Sequence, residues 1–83
     1  MILEMADRAR LEQGIRMALW ASRHDADITQ QQLAEKLGWS RNQVANVESG
    51  RRQIQVIDLL LFAKALNVSP MTLLNRILHW CTR

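Results

Sequence analysis

The chain is short of cysteine, proline and glycine, and each shortage excludes something. Its 83 residues hold a single cysteine, Cys81, so no disulfide framework forms within the chain and a reducing, cytoplasmic setting is expected. One proline and three glycines leave little punctuation, and no segment alternates apolar and polar residues as a half-buried strand does. Long apolar runs are missing as well. No window approaches the roughly 18 uninterrupted apolar residues of a transmembrane span, so no membrane partner is expected. The opening MILEMADRAR brings charges early, without an apolar run leading to a small-residue cleavage site, so no signal peptide is expected. There are no paired carboxylates, no Cys–His or Ser–His arrangement and no phosphate-binding glycine loop, and His24 and His79 lack ligand-spaced companions. Neither an enzyme, nor a metal site, nor any cofactor is expected.

What is present is helical. Apolar residues make up 48% of the chain, enough for one modest core in a single domain over residues 1–83. Five helices are predicted. The first runs roughly from Leu3 to Arg23, with Leu11, Ile15 and Leu19 as an inward stripe and with Gly14 lowering its propensity. His24 to Ile28 form a polar connector. The second, about Gln30 to Leu37, turns Leu33, Ala34 and Leu37 inward. The third, about Arg41 to Ser49, turns Val44 and Val47 inward and ends at Gly50. The fourth, about Val56 to Leu66, places Val56, Leu59, Leu60, Ala63 and Leu66 on one face, and Asn67 suits a left-handed C-cap. Ser69-Pro70 then restarts the chain, a hydroxyl cap followed by proline at the first helical position. The fifth helix, about 70–80, carries Leu73, Leu74, Ile77 and Leu78 at spacings of three and four.

The richest stretch is Thr29 to Gly50, TQQQLAEKLGWSRNQVANVESG. Thr29 is followed three residues later by Gln32, and Ser40 three residues later by Gln43. Both are capping-box spacings, in which a hydroxyl takes an orphan N–H and the amide side chain reaches back. Gly38 stands between them, where a helix must end and the chain must turn. Two short helices with so tight a turn make a helix-turn-helix that grips DNA. The formal charge of +3 permits nucleic acid without demanding it. Its distribution says more. Lys36, Arg41, Arg51 and Arg52 cluster in and around this stretch, while the acids Glu4, Asp7, Glu12, Asp25 and Asp27 lie mostly upstream.

ITQQQLAEKLGWSRNQVANVESGRR, followed by LLLFAKALNVS, resembles the phage-repressor/Cro-like (Xre-type) helix-turn-helix family of bacterial and phage transcription regulators. The resemblance covers about Leu11 to Leu74. Gln30 opens the first motif helix, Ala34 is the small residue at the helix crossing, Gly38 is the turn, and Leu33, Leu37, Val44 and Val47 hold the buried positions. It implies an all-α, five-helix, lambda-repressor-like DNA-binding domain with the motif at helices two and three. Three features depart from the family. Trp39 stands where an aliphatic residue is usual, so that the turn opens or the ring covers a neighbour. No proline stands near Ile54. The connector from His24 to Asp27 is longer than usual.

With Val44 and Val47 inward, the outward positions of the third helix are Arg41, Asn42, Ala45 and Asn46. Arginine suits guanine O6 and N7, and asparagine makes paired bonds to adenine N6 and N7. The resemblance implies that the first, second and sixth residues after the cap read bases, which here are Arg41, Asn42 and Asn46. Gln30 at a helix start is placed to bond a phosphate. Ser40 and Gln43 are backbone candidates that capping alone would also explain, and Arg51 and Arg52 reach phosphates or an adjacent minor groove. Glu48 is expected to be structural, paired with Arg51 or Arg52.

A lone domain of this size covers only a few base pairs, so a homodimer on double-stranded DNA is expected, with reading helices about 34 Å apart on a palindromic site. Ile57, Leu61, Met71, Leu78 and Trp80 supply apolar surface for the seam. The competing arrangement has Met17 and Trp20 of the first helix cover them within the monomer. The expected function is a sequence-specific regulator, a repressor of a phage, mobile element or small operon. Restriction–modification controllers and antitoxins share so minimal a layout. The alternative is an antitoxin or other interaction module whose main partner is a toxin or another protein.

Overall fold

A computed structural model describes residues 5–81, so the predicted helix start at Leu3, and Glu4 with it, lie outside the described residues. Five helices follow one another: α1 (Met5–Asp25), α2 (Gln30–Leu37), α3 (Arg41–Glu48), α4 (Val56–Ala65) and α5 (Pro70–Cys81). None of them alone is long and apolar enough to cross a membrane.

Local chemistry sets most of these boundaries. Three helices end in the same reversal, in which the N–H of a left-handed residue and the N–H after it reach back to the last turn. At α2 the left-handed residue is Gly38 (φ 71°), with Trp39 N–H donating to Ala34 O at 2.9 Å. At α3 it is Gly50 (φ 83°), with Arg51 N–H donating to Asn46 O at 2.8 Å. At α4 it is Asn67 (φ 58°), with Val68 N–H donating to Ala63 O at 3.0 Å. Ser69 then caps α5 by accepting from Thr72 N–H at 3.0 Å, as the Ser69-Pro70 pair predicts.

The core is built from Leu19 of α1, Leu33 and Ala34 of α2, Val44 and Val47 of α3, Phe62 and Ala63 of α4, Leu66, and Leu73 of α5. The long α1 packs chiefly on α5, and Gly14 is what lets them approach. A Cβ there would stand 2.7 Å from the Ile77 carbonyl oxygen. The residue that lowers helix propensity is therefore required by the helix opposite, and α1 runs through it unbroken.

Two expected faces need correction. Leu11 does not complete the inward stripe of α1. It is exposed, Ile15 is half-buried and only Leu19 is fully enclosed. On α4, Val56 and Leu60 are not core residues, being 76% and 48% exposed. The buried face is Asp58, Phe62 and Ala63, continued by Leu66, with Leu59 half-buried. Asp58 fixes that rotation. Its carboxylate accepts the Gln55 N–H at 2.9 Å and caps the helix from the buried side. Phe62, one turn on, then fills the centre of the core.

Candidate nucleic-acid interface

Each helix of the Thr29–Gly50 stretch starts on a formed capping box. Thr29 Oγ1 accepts from Gln32 N–H at 3.0 Å while Gln32 Oε1 accepts from Thr29 N–H at 2.8 Å. Ser40 and Gln43 repeat the exchange at 3.2 and 2.8 Å. Between them the turn is closed, and the Trp39 indole covers neighbours instead of opening it. Its ring meets Phe62 edge-on, with centroids 5.5 Å apart, and the Arg52 guanidinium lies over it at 4.3 Å. Ile54, where proline would be usual, packs half-buried against the core.

Burial of Val44 and Val47 rotates α3 so that Arg41 and Asn42 face solvent at its N-terminal end. Ala45 and Asn46 follow one turn further along and are half-buried. Helical spacing places Asn42 and Asn46 on one side of this exposed surface, with Arg41 beside them. The backbone carbonyl of Asn46 receives the N–H groups of Arg51 and Arg52 and the Ser49 hydroxyl, so the segment after α3 is anchored to it. Of the backbone candidates, Ser40 and Gln43 are engaged in their cap, Arg51 is exposed, and Arg52 is half-buried against Trp39.

Glu48 has a different partner from the one expected. It pairs with Arg23 of α1, not with Arg51 or Arg52. Arg23 Nε and Nη2 donate to its two carboxylate oxygens at 2.7 and 3.0 Å, and only 9% and 5% of the two side chains remain exposed. The left-handed turn at Gly50 leads Arg51 and Arg52 away, while Glu48 lies one turn from Val44 on the inward side. Gln30 Nε2 donates to the same carboxylate at 3.2 Å, and Arg23 Nη1 to the Ile28 carbonyl at 2.8 Å. Gln30 is thus half-buried and bound to Glu48, which leaves one amide N–H for any further contact. Arg23 joins α1, the connector and α3, with α2 reaching the same carboxylate through Gln30, and helical periodicity gave it no role. The signal that points to it is Glu48 itself, an acid at an inward spacing that demands a buried cation.

These elements define the class: a five-helix, all-α DNA-binding domain in which two capped helices form a helix-turn-helix and the second turns a polar face outward. The chain belongs to the helix-turn-helix family whose model matches residues 23–73, a span that takes in both Arg23 and Glu48. It is similar to Control protein C.SmaI of Serratia marcescens, 40% identical over 50 residues, and the match spans 60% of this chain and 60% of that curated relative. Among solved structures, it is similar to the XRE-family like protein from Pseudomonas syringae pv. tomato str. DC3000. That likeness has a TM-score of 0.76 and 29% identity, covering 87% of each chain. It is also similar to the restriction–modification controller protein C.Esp1396I, solved as a tetramer in complex with its natural 35 base-pair operator. There the TM-score is 0.81 at 22% identity, covering 88% of this chain and 96% of that one. At that identity the likeness is one of fold.

Proposed function

We propose that this chain is a transcriptional regulator of the restriction–modification controller kind, binding as a homodimer to a palindromic operator through the major groove. Arg41, Asn42 and Asn46 read bases, and Gln30, Ser40, Gln43, Arg51 and Arg52 meet the backbone. The observation that carries this is the outward display of Arg41 and Asn42 on a helix rigidly capped at Ser40. The likeness to a control protein and to a controller bound to its operator supports it. Its role is one of binding, not of catalysis.

The second copy is argued from α4 and α5. Ile57, Leu60 and Leu61 share one side of α4 by spacing, and Met71, Leu74 and Leu78 share one side of α5. All six are exposed. Trp20 does not shield them within the monomer. It is itself exposed, its ring tilted against His24 with centroids 4.2 Å apart. Trp80 is half-buried at the end of the same row.

The test is selection of preferred duplexes from a random pool by the wild-type chain and by Arg41→Ala. The wild type is expected to enrich a palindrome. Arg41→Ala should bind it about 1–3 kcal/mol more weakly and lose preference at one position of each half-site. Enrichment of no sequence, or an unchanged preference after Arg41→Ala, would instead favour a protein-interaction module such as an antitoxin, with the apolar side of α4 and α5 as its partner surface.

A further inference from the structure

We infer that Trp39 is a positioning residue for Arg52, holding its guanidinium ready for a DNA phosphate while leaving its N–H donors unengaged. The inference rests on the DNA-binding role proposed above.

Trp39 stands in the turn itself, its backbone N–H fixed on Ala34 O and its indole seated edge-on against Phe62 in the core, with the rings 78° apart. The ring is therefore a platform packed against the core. Arg52 is held at both ends. Its backbone N–H donates to Asn46 O at 3.1 Å, and its guanidinium carbon lies 4.3 Å from the indole centroid. A cation over an aromatic face is attracted by the ring quadrupole and needs no hydrogen bond. The five N–H donors in the guanidinium plane stay available for an anion.

Two other arginines held by the fold give their donors to protein partners, while Arg16 lies half-buried beside Gly50. Arg23 gives its donors to Glu48 and Ile28, and Arg76 bonds Ser22 and approaches Asp25. Among the described residues Arg52 has no side-chain hydrogen bond or ion pair, although it is half-buried. A long side chain normally loses much rotamer freedom when it grips a phosphate. Here that freedom is already restricted. Trp39 directly precedes the Ser40 cap, so the oriented cation flanks the end of α3 that carries Arg41 and Asn42.

Binding of a labelled mixed-sequence duplex is to be measured over a potassium chloride series for the wild type and for Trp39→Leu, Trp39→Phe, Arg52→Ala and the Trp39→Leu/Arg52→Ala double variant. Arg52→Ala should lower the log–log salt slope by about one. Trp39→Leu should weaken binding about two- to fivefold, Trp39→Phe should retain most of the affinity, and Trp39→Leu should add nothing once Arg52 is alanine. An equal loss from Trp39→Leu in both backgrounds would assign the residue to packing alone and overturn the inference, as would no loss at all. A wild-type chain that binds no duplex would remove the DNA-binding role and the inference with it. Binding by the wild type with additive variants would remove the inference alone. Should Trp39→Leu not fold, proton NMR of the wild type decides. Upfield ring-current shifts of the Arg52 side chain that persist on adding duplex support the inference, and random-coil shifts refute it.

Discussion

Arg41 and Glu48 close opposite ends of one eight-residue helix and meet opposite demands. Arg41 keeps its charge in water, where the proposed function has it exchange solvent for a base edge. Glu48 is withdrawn from water and stabilised by Arg23 and Gln30. A buried ion pair is stabilising only in comparison with its own halves, because removing one partner strands the other charge. Glu48→Leu should therefore cost about 3–5 kcal/mol in urea unfolding, whereas Arg23→Met with Glu48→Leu should cost far less. A double variant as unstable as the single one would show that the pair is not what holds α3 to α1. The same pair shows why residue-level expectations failed there. Arg51 and Arg52 are the nearest cations in sequence, but the true partner lies 25 residues away, and only the packed fold brings it across.

Helices and turns were legible where their signals are local. Both capping boxes, the left-handed turns at Gly38 and Asn67 and the Ser69-Pro70 restart involve groups within a few residues of one another, and all formed as spacing predicted. Of the outward set on α3, Arg41 and Asn42 were legible for the same reason, since two inward valines fix the rotation of so short a helix, whereas Ala45 and Asn46 are half-buried. The rotation of α4 was not legible. Every residue of VIDLLLFAKA except Asp58 and Lys64 is apolar, so periodicity could not choose a face, and the choice fell to the Asp58 cap and the bulk of Phe62. Gly14 makes the general point testable. Glycine to alanine inside a helix ordinarily gains about 1 kcal/mol. Here the added methyl meets the backbone oxygen of Ile77, so Gly14→Ala should lower the melting temperature. A raised melting temperature would mean that α1 and α5 can separate at no cost.

At the scale of the whole molecule, the domain leaves much of its apolar area outside its core. Val56, Ile57, Leu60 and Leu61 on α4 and Met71, Leu74 and Leu78 on α5 are all exposed, and apolar residues gathered in this way usually mark an interface. Under the proposed assembly, Ile57→Asp with Leu61→Lys should sediment as a monomer at tens of micromolar, by analogy with ordinary interface energetics, while the wild type sediments as a dimer. The substituted chain should keep its helicity, because neither side chain is part of the core, yet lose its preference for a palindrome. A wild type that is monomeric both with and without palindromic DNA would rule the assembly out.

If the chain pairs through that uncovered side of α4, as proposed, the molecule becomes a counter of its own copies. While single chains predominate, the paired form rises as the square of the free chain, by mass action. Each cell division that halves the monomer thins the paired form more steeply still. Occupancy of a two-copy site would then report how recently the chain was made.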